Sequence, residues 1–336
     1  MQNRKLGLQT VEFSVPPVII SHAAVVGEKE ADGPLRDDFD MLVSDDKMGQ
    51  KSWDLAEGMF QKTAAELAMK KSGLKSNEIE YVLAGDLQNQ CTATHYGLRD
   101  FNMPFLGLYG ACSTMVESLS VGAMIIGGGY AKKIMALTSS HFCSAEKQYR
   151  NPLEYGGQRT PSAQWTVTGS GAVILAESGV GQKVTHVTTG KIVDKGITDV
   201  SNMGAAMAPA ALDTILTHFK DTGFSPDDYD AIFTGDLGTV GSEILCELIK
   251  KEGYDINAKH KDCGKMIYDI KRQDVHAGAS GCGCCASVLC GHILKEMKKG
   301  TYKRILVAAT GALMNPLTVL QGESIPSISH AVTISV

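Results

Sequence analysis

Cys112 lies in the run FLGLYGACSTMVESLS, where a strand-like stretch gives way to a helix rich in small residues. A thiol at a helix N-terminus meets unpaired N–H groups and the positive end of the helix dipole. That setting favours thiolate and would hold an oxyanion. Gly110 and Ala111 let the chain turn sharply there. A small residue in tight packing would occupy the same place, so position alone does not separate a nucleophile from a packing thiol. His276 stands in a second turn, His-Ala-Gly-Ala-Ser-Gly at 276–281. It is expected to approach Cys112 and form a Cys/His arrangement suited to nucleophilic catalysis. His141 follows Ser139 and Ser140 at the end of a predicted strand, where α/β proteins bind ligands. Cys282, Cys284, Cys285 and Cys290 lie along one predicted helix. Zinc pairs usually sit on turns, so these thiols are read as small core residues and no metal site is expected. The glycines at 127–129 and 169–171 do not link a strand to a following helix in phosphate-loop order.

What positions these residues is an internal repeat. LKSNEIEYVLAGDLQNQ at 74–90 and FSPDDYDAIFTGDLGTV at 224–240 share a helix end, an acidic loop, a short strand and Gly-Asp-Leu, 150 residues apart. Further on, Gly-Ala-Cys-Ser at 110–113 matches Gly-Ala-Ser-Gly at 278–281, and the offset has grown to 168. The second copy therefore carries an insertion, expected around 247–265. Helical spacing of Trp53, Ala56, Phe60, Thr63 and Leu67 predicts the first helix, and Gly73 its stop. Strands are predicted at 81–84, 134–138, 166–177, 231–234, 305–309 and 328–336, with helices at 112–126, 205–220 and 280–298. Alternating strands and helices make an α/β fold, and the repeat implies two stacked sheets with helices between and outside. The helices after Cys112 and Ser280 are the expected inner pair, because small residues let two axes pass closely. The irregular segment 143–164 is expected to cover the pocket or a dimer contact.

The chain has 336 residues, 43% of them hydrophobic, enough for more than one ordinary core. Its net charge of -5 gives no global basic footprint for nucleic acid or anionic lipid. Nine cysteines, an odd number, with no export signal in view, argue for a reducing compartment. No stretch approaches the ~20 apolar residues of a membrane helix.

In order along the chain, the duplicated unit, the Gly-Ala-Cys-Ser elbow, Thr-Gly-Ser-Gly-Ala at 168–172 and the 276–281 turn resemble the thiolase and ketoacyl-synthase superfamily. The likeness runs over nearly the whole chain. The run KLGLQTVEFSVPPVIISHAAVVGEKEADGPL and the segment YGACSTMVESL are similar, more closely, to the stage V sporulation protein AD family of endospore-forming bacteria. The resemblance implies a thiolase-like fold of two halves, 1–177 and 178–336, in five layers, αβαβα. It implies a homodimer formed by pairing a first-half strand, with 132–141 as the expected segment. It also implies binding of dipicolinic acid (pyridine-2,6-dicarboxylate), largely as its calcium chelate, in support of uptake into the developing spore. No cofactor is implied beyond that calcium. The implied setting is peripheral, on the inner (forespore) membrane beside membrane proteins of the same operon.

Against that family background the chain departs from the enzymes. Condensing enzymes of the superfamily place two further groups around the nucleophile, and here only His276 matches. Thr234-Gly235-Asp236 stands where relatives supply a second His or an Asn, and Gly311-Ala312-Leu313 where thiolases carry a second cysteine. A carboxylate near Asp236 would not stabilise an enolate as a neutral donor does. The reading is a retired cleft that binds its ligand. The alternative is a Cys-dependent acyltransferase in which Cys112 forms a thioester and His276 relays protons. A dicarboxylate needs paired donors and a flat apolar slot. Arg150 and Arg159 are candidate partners for its carboxylates, and Asp86, Gln88 and Asp236 are candidate oxygen contacts for chelated calcium. Cys112, His276 and His141 complete the expected ligand-binding set.

Overall fold

The computed structural model describes residues 3–149 and 159–336, and Arg150 lies outside them. Ten strands carry the fold. The first half contributes β1 (Val18–Val26), β2 (Tyr81–Gly85), β3 (Phe105–Gly107), β4 (Lys133–Ser140) and β5 (Gly169–Ala176). The second contributes β6 (Gln182–Thr188), β7 (Ala231–Thr234), β8 (His260–Asp262), β9 (Arg304–Ala312) and β10 (Ser327–Ser335). Hydrogen bonds connect them in the order β3-β2-β4-β5-β1-β6-β10-β9-β7-β8, a palindrome of the two halves. In the first half β2 is parallel to β3 and β4, while β5 is antiparallel to β4 and β1. In the second half β7 is parallel to β8 and β9, and β10 is antiparallel to β9 and β6. The sequence repeat is thus a repeat of topology. The halves join through a two-residue seam, Gln182 opposite Ile19 and Lys183 opposite Val18, so the two expected sheets share one hydrogen-bonded path.

Helices fill the faces: α1 (Trp53–Ser72), α2 (Thr92–Leu98), α3 (Thr114–Gly127), α4 (Phe142–Tyr149), α5 (Met203–Thr222), α6 (Gly238–Lys251) and α7 (Cys282–Val288). The Ser52 hydroxyl caps α1 by accepting from Leu55 N, and the Asn202 side chain caps α5 by accepting from Ala205 N. Gly73 and Gly223 end the same two helices in the left-handed region. Period-two alternation sorts the strand residues between layers. Val82 and Ala84 face the α1 side, while Leu83 faces the inner core. Ile232 faces the α5 side, while Ala231 and Phe233 face inward. Helix α3 touches strands of both halves and also α7, which makes these two the inner pair of a five-layered αβαβα arrangement. Their small residues are needed: a Cβ on Gly171 of β5 would overlap the Ala286 carbonyl of α7.

Several expectations are corrected. Segment 132–141 cannot pair with a second copy, because β4 is bonded on both sides, to β2 and to β5. Among the described residues, the open edge of the first half is β3. Segment 143–164 is not irregular at its start, since α4 occupies its first turns. The helix expected over 280–298 is broken by a π-helical turn, Leu289–Ile293, where Gly291 abuts the Phe39 ring. The insertion lies mostly later than expected. The halves are offset by 155 residues at β3 and β8 but by 168 at Cys112 and Ser280, so most of the extra chain falls between β8 and α7. Among the described residues, no helix is long and apolar enough to cross a membrane.

Candidate functional site

The elbow before α3 is held by its own hydroxyls. Ser113 donates to the Gly110 carbonyl at 2.7 Å, and Thr114 Oγ1 donates to the Ala111 carbonyl at 2.7 Å while accepting from Gly110 N. Ala111 sits at φ 49°, a strained value for a residue with a Cβ. From the other half, β9 presses directly on this turn, and a Cβ on Gly311 would overlap the Gly110 carbonyl. Cys112 emerges here into a cavity of about 210 Å³. Its walls include Tyr149, Arg159, Gln164, Ser280 and Met314. Ser280 Oγ stands 4.0 Å from Cys112 Sγ. A two-residue parallel ladder, Trp165–Thr166 with Ala279–Ser280, fixes the wall that carries Gln164 and Ser280.

Behind Cys112 and Ser280 lies Asp236, fully buried. Its Oδ2 accepts from Gly281 N at 2.9 Å, and among the described residues its Oδ1 makes no well-formed hydrogen bond, although the Cys112 thiol and the Ser280 hydroxyl stand beside the carboxyl. Burial raises this carboxyl to about 7, with the Cys112 thiol opposing the shift and the charge of Asp262 adding to it. Burial also pushes the Cys112 thiol well above its usual value, and the Asp236 charge pushes it further. Loss of water and a facing carboxylate thus work against the thiolate that a helix N-terminus favours. Gln164 Nε2 donates to the Asp236 and Ala279 carbonyls at 2.7 and 2.6 Å, which leaves its buried Oε1 without a donor.

The other expected residues are scattered. His276 is not in the cavity wall. Its Nε2 pairs with Asp274 Oδ1 at 2.9 Å, on a side chain one-fifth exposed, so the expected meeting with Cys112 is not made there. The same turn nevertheless delivers Ser280 and the Gly281 amide. His141 is buried and lies outside the wall. Its Nδ1 accepts from Cys143 N, its Nε2–H donates to the Asp46 carbonyl, and its ring lies 5.4 Å from Trp53, a structural role. Asp86 and Gln88 are consumed internally. Asp86 accepts from Gln88 N, Thr94 N and Thr94 Oγ1, and Gln88 Nε2 donates to Glu57 Oε2 at 2.7 Å. Glu57 also accepts from Ser139 and Ser144, which ties α4 to the end of β4; burial and the charge of Asp86 raise it to about 8. Arg159 lines the cavity with its guanidinium 4.6 Å over the Trp165 ring. Cys282 Sγ donates to the Ser139 carbonyl and Cys284 Sγ to the Gly235 carbonyl, as packing thiols do. Among the described residues, no group of three or more His, Cys, Asp or Glu side chains is placed to hold a metal ion.

Sequence reading passed over Ser280, Gln164 and Tyr149. Ser280 was within reach, as the repeat partner of Cys112. Gln164 and Tyr149 carried no local signal. The Tyr149 hydroxyl bonds the Leu87 carbonyl and, at 2.9 Å, Tyr109 Oη, which closes one side of the cavity.

Two duplicated sets of strands around an inner helix pair, with a cysteine elbow at their junction, define a thiolase-like fold. Solved structures agree on the fold. The chain is similar to 3-oxoacyl-[acyl-carrier-protein] synthase III from Aquifex aeolicus VF5, with a TM-score of 0.58 at 12% identity over 95% of this chain and 100% of that one. It is similar to Xanthomonas campestris OleA E117A, with a TM-score of 0.59 at 12% identity over 97% and 99%. Within that class, the family model of stage V sporulation protein AD matches residues 7–335. The chain is also 46% identical to stage V sporulation protein AD of Bacillus subtilis (strain 168), over 97% of this chain and 96% of that protein. The chain belongs to the stage V sporulation protein AD family.

Proposed function

We propose that this protein binds dipicolinic acid, free or as its calcium chelate, in the Cys112 cavity and supports its uptake into the developing spore. The observation that carries this reading is the state of Cys112. A condensing enzyme needs a thiolate and a base that serves it. Here the thiol is buried and faced by the Asp236 carboxyl, both of which raise it, while His276 pairs with Asp274 outside the cavity wall. The cavity around it survives, largely apolar, with Arg159 and the Ser280 hydroxyl as polar contacts, a wall composition suited to a small ring bearing carboxylates. A homodimer and peripheral attachment at the forespore membrane beside membrane proteins belong to the same proposal. With β4 interior, the edge β3 is the first-half strand open to a second copy.

The acyltransferase reading keeps one observation in its favour: Cys112 still opens into a cavity at the elbow of a fold shared with condensing enzymes. Isothermal titration separates the two. Saturable heat with dipicolinic acid, with or without calcium, and none with acetyl-CoA is the expected result. Binding of the thioester alone would overturn the proposal.

A further inference from the structure

The two halves treat an equivalent aspartate differently. Asp86 and Asp236 follow β2 and β7 in the repeated Gly-Asp-Leu, 150 residues apart. Asp86 spends both oxygens on its own turn, with three donors from Gln88 and Thr94. In the second half Asp262 of β8 takes over that duty: it accepts from Leu237 N, Gly238 N and Thr234 Oγ1 at 2.7–3.0 Å. Asp236 is thereby released. It keeps one backbone bond, from Gly281 N, and among the described residues its other, fully buried oxygen has no well-formed hydrogen bond, with only the Cys112 thiol and the Ser280 hydroxyl beside it. A buried carboxylate with an unmet lone pair costs free energy that protonation removes, and a protonated oxygen becomes a donor.

We propose that the cavity takes up its anionic ligand together with one proton, held on Asp236 Oδ1. The inference rests on the binding reading above. In the empty site at neutral pH the carboxyl is partly ionised. A carboxylate ligand brought against Cys112 and Ser280 adds a second negative charge to a water-poor pocket, and the two anions repel strongly at low dielectric. Taking a proton from solvent cancels one charge. The new O–H points toward the Cys112 and Ser280 side chains, and Ser280 Oγ–H is then free to donate to the ligand. No bond other than this O–H forms or breaks.

The groups facing Asp236 from neighbouring elements leave it as the acceptor. Cys112 on the elbow and Cys282 and Cys284 on α7 are all pushed upward by burial and by the Asp236 charge, and Tyr149, across the cavity wall beside Cys112, is pushed upward by burial too, so none of them competes for the proton as an anion. Asp262 is raised only to about 6, and its oxygens are occupied by the turn and by Lys265 N. The Lys265 charge favours its ionised form. Arg159 and Glu146 line the cavity itself, Arg159 over the Trp165 ring beside the Ser280 ladder.

The test is titration calorimetry of the whole chain with calcium-free dipicolinate from about pH 5.5 to about pH 8.5, where the ligand stays a dianion, in two buffers of different ionisation enthalpy. The expected result is net proton uptake on binding, with affinity level at low pH and falling by up to about tenfold per pH unit above about 7. Asp236→Asn, which keeps a neutral donor, should bind across the whole range with no uptake. Wild-type binding without uptake would overturn the proposal and leave the binding reading intact. Uptake persisting in Asp236→Asn would also overturn it, by moving the proton elsewhere. No dipicolinate heat at any pH would remove the binding reading, and this inference with it.

Discussion

The first-half turn after β2 and the second-half turn after β7 descend from one repeated sequence, yet only the second holds a carboxyl in reserve. In the first, Asp86 is a structural cap, bound into a network with Gln88, Thr94 and Glu57. In the second, capping has moved to Asp262, and Asp236 faces the elbow of the opposite half. The comparison teaches that duplication supplies a spare. Once one copy's side chain is relieved of its local hydrogen bonds, its chemistry becomes available across the junction. The elbows differ in the same sense. Cys112 keeps the position of a nucleophile, while its repeat partner is Ser280, an uncharged hydroxyl.

The comparison can be broken most severely at the caps. Asp262→Ala should cost about 3 kcal/mol or more in denaturant unfolding, because it strands two buried amides and a buried hydroxyl. Asp236→Asn should cost about 1 kcal/mol or less at neutral pH, since it removes one acceptor and a poorly satisfied charge. Equal losses for the two would erase the division of labour. Next in size is Gly311→Ala, expected to cost about 1–3 kcal/mol by driving a Cβ into the Gly110 carbonyl, with the cavity disturbed as well. Thermal melts with and without ligand read both effects.

A smaller effect concerns pH. Asp236 is raised in the fold, from an unfolded value near 3.8 to about 7. Between those values the folded chain holds the extra proton, so this group's contribution is greatest at low pH and declines as pH rises through about 7. The slope attributable to Asp236 is at most about 1.4 kcal/mol per pH unit and should vanish in Asp236→Asn. An unchanged slope would place the titrating carboxyl elsewhere. The smallest effect is expected at His276. His276→Ala should change stability by about 0.5 kcal/mol or less and leave dipicolinate affinity unaltered, because the side chain lies outside the cavity wall and pairs with an exposed Asp274.

Much of the fold was legible because it is written twice. The Gly-Asp-Leu repeat located β2 and β7, and the small residues after Cys112 and Ser280 marked the inner helices. Strand neighbours were not legible: 132–141 reads as an apolar strand equally well at an edge or in the middle, and only the pairing with β2 and β5 makes it interior. The elbow and the repeat single out Cys112 and Asp236, and the loop offers Arg159; the structure puts Cys112 and Arg159 in one cavity wall with Asp236 behind it. His276 lies outside the wall, paired with Asp274, while the same turn brings Ser280 into it. Gln164 and Tyr149 depend on contacts 72 and 62 residues away, with Asp236 and Leu87, and no local pattern encodes those.

On the proposed reading Cys112 is part of a binding wall and not a nucleophile. Intact-mass measurement after incubation with acetyl-CoA at neutral pH tests it most directly. The wild-type chain is expected to stay unmodified, and the Cys112→Ala variant to keep binding dipicolinate. A stoichiometric acetyl adduct that disappears in Cys112→Ala would contradict it.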